Sequence, residues 1–245
     1  MFKTLKNHPF AVEAFFESST VFTFAVPKEQ LENLIPECLT LDTFQDKWAF
    51  IAIAMVQTKD LKPKGFPNFM GNDFFLIGYR VFVRYTDKRG KRLRGLYILK
   101  SETDSKKMTF RGNIFTYYNY TTTDININEI GKKLKIYSQK SNFKIDVSKD
   151  IEEVDLPTNS PFLNWKEARR FAGPLPFTFT YNEKTKEVLI IEGVRTNWKP
   201  KPLKVESYHF KFLEDLKLKN HILANAFSIE NIPYQWKKGR IEVWK

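Results

Sequence analysis

A lysine whose pKa is lowered by a neighbouring cation or by burial can serve as a nucleophilic amine, and two places in this sequence suit that chemistry. Lys106 and Lys107 are adjacent, but their segment reads as a strand edge or turn, where both amines are expected to be solvated. Lys100 follows the apolar Tyr97-Ile98-Leu99 and could point inward, although alternation allows it equally to face water. His8, His209 and His221 have neither the i, i+4 spacing nor the cysteine partners of a metal site, so no metal is expected. Cys38, the one cysteine, opens a strand; it reads as a small buried hydrophobe and excludes an internal disulfide. No G-x-S-x-G, phosphate-binding loop or dinucleotide fingerprint is present, and no cofactor is expected. What remains is Arg80, within a long apolar strand, and the run Tyr117, Tyr118, Asn119 and Tyr120. Residues of these types can supply the few polar anchors of an otherwise apolar ligand pocket.

The elements that must position them are mostly strands. Residues 21–26 and 39–44 read as strands around a short helix over 28–35, started by Pro27 and stopped before Pro36. Residues 48–57 are apolar on nearly every side, which fits a strand buried on both faces. Residues 74–85 and 93–99 form a hairpin about the Asp87-Lys88-Arg89-Gly90 turn, and 132–139 with 142–147 form another. A helix over 162–171 ends at Gly173-Pro174. Strands are expected again at 177–181, 187–195, 203–212, 227–229 and 241–244. With no repeat, no low-complexity tract and no Gly/Ser linker, one domain over residues 1–245 is expected.

Composition narrows the function classes. The longest apolar window, residues 48–56, is about half of the roughly 18 residues a membrane helix needs, and the N-terminal residues lack a signal-peptide core. A soluble, cytoplasmic protein without a membrane partner follows as the expectation. Forty basic against 28 acidic residues give +12, a field that favours anions. The charges are dispersed, and their densest group, residues 88–94, sits at a hairpin turn where solvated charge belongs.

The stretch 26–44 (VPKEQLENLIPECLTLDTF) resembles the opening of the YqjF-like proteins and of the acetoacetate decarboxylases. Lys62-Pro63-Lys64-Gly65-Phe66-Pro67 resembles the superfamily's basic R-G-x-P loop. Tyr79-Arg80-Val81-Phe82-Val83-Arg84 resembles its R-x-Y-V strand, and Gly112-Asn113-Ile114-Phe115-Thr116-Tyr117-Tyr118 its F-x-x-P-Y-Y segment. The likeness continues from Val194 through Trp198-Lys199-Pro200 to Trp244. It implies a mainly β (α+β) fold: an acetoacetate decarboxylase-like closed antiparallel β-sheet or barrel around an apolar cavity, with a few short helices. In such decarboxylases a lysine forms a Schiff base with a keto acid, beside a second lysine, an arginine and a glutamate. Carried over by spacing, the two lysine positions fall on Asn119 and Tyr120, the carboxylate on Leu76 and the arginine near Glu17. None of these can do that work. Where the YqjF-like pattern often has a glutamate and an asparagine before the strand arginine, this chain has Leu76 and Gly78.

The expectation is therefore a protein that binds a small, partly apolar molecule, neutral or anionic, at Arg80, Tyr117, Tyr118, Asn119 and Tyr120, without Schiff-base decarboxylation. No catalytic residue can be named from the sequence. Two alternatives stay open: a lyase, hydratase or isomerase using tyrosine and asparagine in place of the lysine, and a basic binder of nucleic acid or anionic surfaces. No nucleic-acid motif supports the second, so a nucleic-acid partner is not expected.

Overall fold

The computed structural model describes residues 5–149, 151–196 and 198–244. In its first half, β1 (Val12–Pro27), β2 (Thr40–Leu41), β3 (Trp48–Pro63), β4 (Phe74–Thr86) and β5 (Arg92–Thr103) lead into helix α1 (Lys106–Phe115). The middle holds β6 (Tyr120–Thr122), β7 (Asn126–Ile130), β8 (Lys133–Ser138), β9 (Phe143–Ser148) and helix α2 (Trp165–Ala172). After these come β10 (Phe177–Asn182), β11 (Glu187–Arg195), β12 (Lys201–Pro202), β13 (Lys204–Phe210), helix α3 (Lys211–Asp215), β14 (Ile222–Trp236) and β15 (Arg240–Val243).

Seven strands hydrogen-bond in the order β14-β1-β3-β4-β5-β10-β11. Pairing of Gly193, Val194 and Arg195 with Trp236, Gln235 and Tyr234 brings β11 back to β14 and closes the ring. All junctions are antiparallel except β5–β10, which is parallel over Phe177, Thr178 and Phe179, so the closed sheet is mixed where the sequence suggested an antiparallel one. A second sheet, in the order β13-β9-β8-β7, packs against it. Ile136, Phe143, Ile145 and Phe210 of this smaller sheet meet Phe22 and Phe24 of β1 in the main core.

The period of two along β3 and β4 sets the two faces of the ring. Ile51, Ile53 and Met55, with Ile77, Tyr79 and Val81, enter the main core. Ala52, Ala54, Leu76 and Arg80 point the other way, into a cavity. Burial on both faces explains why residues 49–56 are uninterruptedly apolar.

Four local expectations are corrected. Residues 28–35 form two short 3-10 turns, Lys28–Gln30 and Glu32–Leu34, instead of one helix; eight residues between two prolines are too few to repay helix nucleation. The strand expected over 39–44 is two residues long, Thr40–Leu41, and ends at Asp42, whose N–H donates to the Phe82 carbonyl and whose carboxylate binds arginines of β4 and β5. Residues 106–107 open helix α1, where Ser105 caps the end by accepting from the Met108 N–H at 3.1 Å. Finally, 227–229 is only the centre of the 15-residue β14.

Candidate functional site

The cavity measures about 140 Å³ and takes lining residues from all seven strands of the ring and from the Gly173-Pro174-Leu175 segment after α2. Its walls are mostly apolar, with Ala52, Ala54, Val56, Leu76, Ile98 and Ile229 typical. Among the described lining residues there is no lysine, aspartate, glutamate, histidine or cysteine. The charged groups are Arg80 and Arg195; the hydroxyls are those of Ser19, Ser101, Tyr118, Tyr120, Thr178 and Tyr234.

Arg80 reaches the cavity because β4 alternates: Tyr79 and Val81 point into the core, Arg80 between them does not. Its guanidinium lies back over the same strand. A Cβ at Gly78 would stand 2.6 Å from Arg80 Nε and 2.8 Å from Nη2, so the residue that departs from the superfamily pattern is what makes room for the arginine. Arg80 Nε has no hydrogen-bond partner. Enclosure by protein lowers its pKa, an effect only partly opposed by the nearby Tyr234, Tyr120 and Tyr118. A buried cation without a counter-charge is among the costliest arrangements a fold can keep.

The tyrosines are held by α1 and the strand after it. Asn113 clamps Tyr120 twice, donating from Nδ2 to the Tyr120 carbonyl at 2.9 Å and accepting from its N–H at 2.8 Å. Gly112 lies beneath the ring, where a Cβ would approach Tyr120 Cδ2 to 2.4 Å. The Tyr118 N–H is 3.2 Å from Thr116 Oγ1, and the two tyrosine rings stand 6.3 Å apart. Burial pushes the Tyr120 phenol up to about 12, and that of Tyr118 higher still. Both are therefore neutral hydrogen-bond donors near neutral pH.

Of the five residues singled out by sequence, the structure brings three together: Arg80, Tyr118 and Tyr120 line the cavity. Tyr117 and Asn119 do not. Tyr117 lies under the Lys6 amine, 5.2 Å from its ring centroid. Asn119 is exposed, at φ 52°, between the two tyrosines that line the cavity. Leu76 lines the cavity as an apolar wall, and Glu17 is exposed at a bulge in β1.

The other candidates lie elsewhere. Lys106 and Lys107 are solvent-exposed. A bulge at Leu99 turns Lys100 to the face of Tyr79, where its amine is 2.7 Å from the buried Glu102, which also accepts from Tyr79 and Ser141, each at 2.6 Å. Cys38 is buried and its thiol is pushed up to about 12 by desolvation, so it is inert. His209 stands 3.6 Å from Glu214, and His221 Nδ1 3.4 Å from the Leu218 carbonyl. Among the described residues no group of three or more His, Cys, Asp or Glu is placed to hold a metal. No helix among them is long and apolar enough to cross a membrane.

Among the lining residues that sequence reasoning missed are Arg195 and Tyr234. The available signal was the repeated Gly-x-Arg of Gly78-Tyr79-Arg80 and Gly193-Val194-Arg195. A Cβ at Gly193 would lie 2.0 Å from the Tyr234 hydroxyl, so this glycine likewise clears space for a polar group of the cavity.

The Gly78 contact gives a direct test of the anchor. Gly78→Ala is expected to displace the Arg80 guanidinium while leaving the melting temperature within a few degrees, because the group that must move is the end of a flexible side chain. Affinity for an anionic ligand should fall about tenfold, or ~1.4 kcal/mol, as read by titration calorimetry. An unchanged affinity would mean that the guanidinium position does not matter to binding.

A β-ring closed around a small, largely apolar cavity defines the class of this protein: it has the acetoacetate decarboxylase fold. Acetoacetate decarboxylase from Legionella pneumophila subsp. pneumophila str. Philadelphia 1 superposes with a TM-score of 0.63 at 11% identity, covering 96% of this chain and 88% of that one. An acetoacetate decarboxylase-like enzyme from Sphingomonas wittichii RW1 gives 0.60 at 10% identity, covering 98% and 96%. The enduracididine biosynthesis enzyme MppR, complexed with pyruvate, gives 0.58 at 9% identity, covering 97% and 92%. Within that fold the chain belongs to the DUF2071 family of uncharacterized conserved proteins, whose model matches residues 15–235. No protein of curated function matches the sequence.

Proposed function

We propose that this protein binds a small, partly apolar carboxylate non-covalently in the ring cavity, with Arg80 as its charged anchor and Tyr118 and Tyr120 as neutral donors. The observation that carries this reading is the half-buried Arg80, whose Nε is buried without a partner in a cavity that, among the described residues, no carboxylate lines. An entering anion would supply the missing counter-charge and accept charge-assisted hydrogen bonds, each worth about 1.5–3 kcal/mol. The size of the cavity points the same way. At about 140 Å³ it is close to an engineered cavity of roughly 150 Å³ that holds benzene, so the ligand has few heavy atoms. The structural likeness to MppR complexed with pyruvate adds a small 2-oxo acid to the compounds worth testing.

Schiff-base chemistry is not part of the proposal, since no lysine among the described residues lines the cavity. Turnover of the lyase, hydratase or isomerase type is the second reading. Arginine and protonated tyrosines could stabilise a developing oxyanion, but a general base would have to come from the ligand or from water, and binding without turnover is therefore the better supported reading. The test is thermal shift and calorimetry with butyrate, pyruvate and acetoacetate, followed by borohydride reduction and intact-mass analysis. Binding at 100 times Kd should add about 2.7 kcal/mol of stability, with no covalent adduct after borohydride. An adduct with acetoacetate would overturn the non-covalent reading, and the absence of any shift with all three acids would overturn the carboxylate reading.

A further inference from the structure

The cavity holds a second cation that the proposed anchor does not explain. Arg195, near the end of β11, lines the same space as Arg80 on β4. It donates from Nη2 to the Pro174 carbonyl, its Nε is buried without a partner, and its guanidinium lies over the Trp198 ring at 5.2 Å from the centroid. Arg169 also stands over Trp198, at 5.6 Å, but it is exposed and lies outside the cavity lining.

Resting on the reading of the cavity as a carboxylate site, we infer that its ligand is a dianion: a short dicarboxylate with one carboxylate on Arg80 and the other on Arg195. Three observations carry this. Two arginines from different strands line one small cavity, each keeps an unpartnered buried Nε, and no acidic residue among the described ones lines that cavity. A monoanion would leave one of the two half-buried guanidiniums without a counter-charge. The apolar Ala52, Ala54 and Ile98 in the same wall suit a methylene spacer. The volume limits the chain to about three to five carbons, by comparison with a cavity that holds benzene.

The test is calorimetric titration at pH 7.5 and constant ionic strength with matched acids: butyrate against succinate, and valerate against glutarate. The dicarboxylate of at least one pair should bind at least about tenfold more tightly than its monocarboxylate, the affinity ratio that corresponds to 1.4 kcal/mol. Arg195→Met should bring that ratio towards one, and Arg195→Lys should restore part of it. Arg169→Met removes the same formal charge from the outer neighbour of Trp198 and should keep the ratio, which separates a direct contact from a change in overall field. Monocarboxylates binding as tightly as dicarboxylates would overturn the dianion while leaving the carboxylate site standing. A ratio that survives Arg195→Met, or that falls equally in Arg169→Met, would remove Arg195 as the second anchor. Failure of all four acids to bind would overturn both readings together.

Discussion

Arg80→Met is expected to make the ligand-free protein more stable while abolishing its response to carboxylates. Methionine fills a similar volume without a charge, and replacing a buried ion by a well-packed apolar side chain is stabilising by about 1–4 kcal/mol in favourable cases. At about 2–4 °C per kcal/mol for a chain of this length, the melting temperature should rise by a few degrees. The same variant should lose about 1.5–3 kcal/mol of binding free energy to an anionic ligand, so the stabilisation that saturating carboxylate gives the wild type should shrink or vanish. The two changes have opposite signs, which is the mark of a group retained for binding at a cost to stability. A variant that melts lower and binds as before would make Arg80 a structural residue. Arg80→Lys keeps the charge but loses the planar, bidentate fork; intermediate affinity is expected.

The second large effect should come from Asp42, far from the ligand in sequence terms but tied to the cavity wall. Its carboxylate is fully buried, 2.5 Å from Arg84 and 2.6 Å from Arg94 Nε. Arg94 also donates to the Phe171 carbonyl at 2.8 Å and stacks over the Phe171 ring. One buried carboxylate thereby links β2, β4 and β5 to the last turn of α2, from which Ala172, Gly173, Pro174 and Leu175 continue as cavity wall. Asp42→Ala leaves two arginines without their shared counter-charge. The expected loss is about 3 kcal/mol, the lower end for breaking a buried pair because both arginines keep partial solvent access; this corresponds to about 6–12 °C in melting temperature. Urea unfolding monitored by tryptophan fluorescence measures it directly. A loss below about 1 kcal/mol would mean that the arginines find water or other partners, and that α2 is held by its apolar contacts alone.

Much of the frame was legible in the chain because it depends on local periodicity. The apolar run 48–56 had to be covered on both faces, and it is. The Asp87–Gly90 segment had to turn a hairpin, and the Gly90 N–H does bond to the Asp87 carbonyl at 2.8 Å. The period of two in 74–85 placed Arg80 opposite Tyr79 and Val81, and with Gly78 two residues earlier the space for its guanidinium was written into the same strand. That no lysine occupies residues 119 and 120 is a matter of sequence alone.

What alternation reports is which way a side chain faces, not which strands will meet. Glu17 and Asn231 interrupt the β1–β14 pairing, with Asn231 at φ 56°. Across that interruption Ile229 and Ile232, three residues apart, line one cavity. A bulge at Leu99 sends Lys100 to Glu102 and leaves Ser101 facing the cavity. Each of these is a one-residue departure from period two, stabilised by contacts with distant strands. The meeting of Arg195 and Tyr234 with Arg80 depends on the closing pair β11–β14, whose strands are far apart in sequence, and non-local pairing of that kind is selected by packing of the whole core. The sequence by itself thus determined a β-rich protein with Arg80 turned out of its main core and no lysine at residues 119 and 120. Only the tertiary structure decided which strands meet to close the ring, that two arginines share one small cavity, and that among the described residues no carboxylate lines it with them.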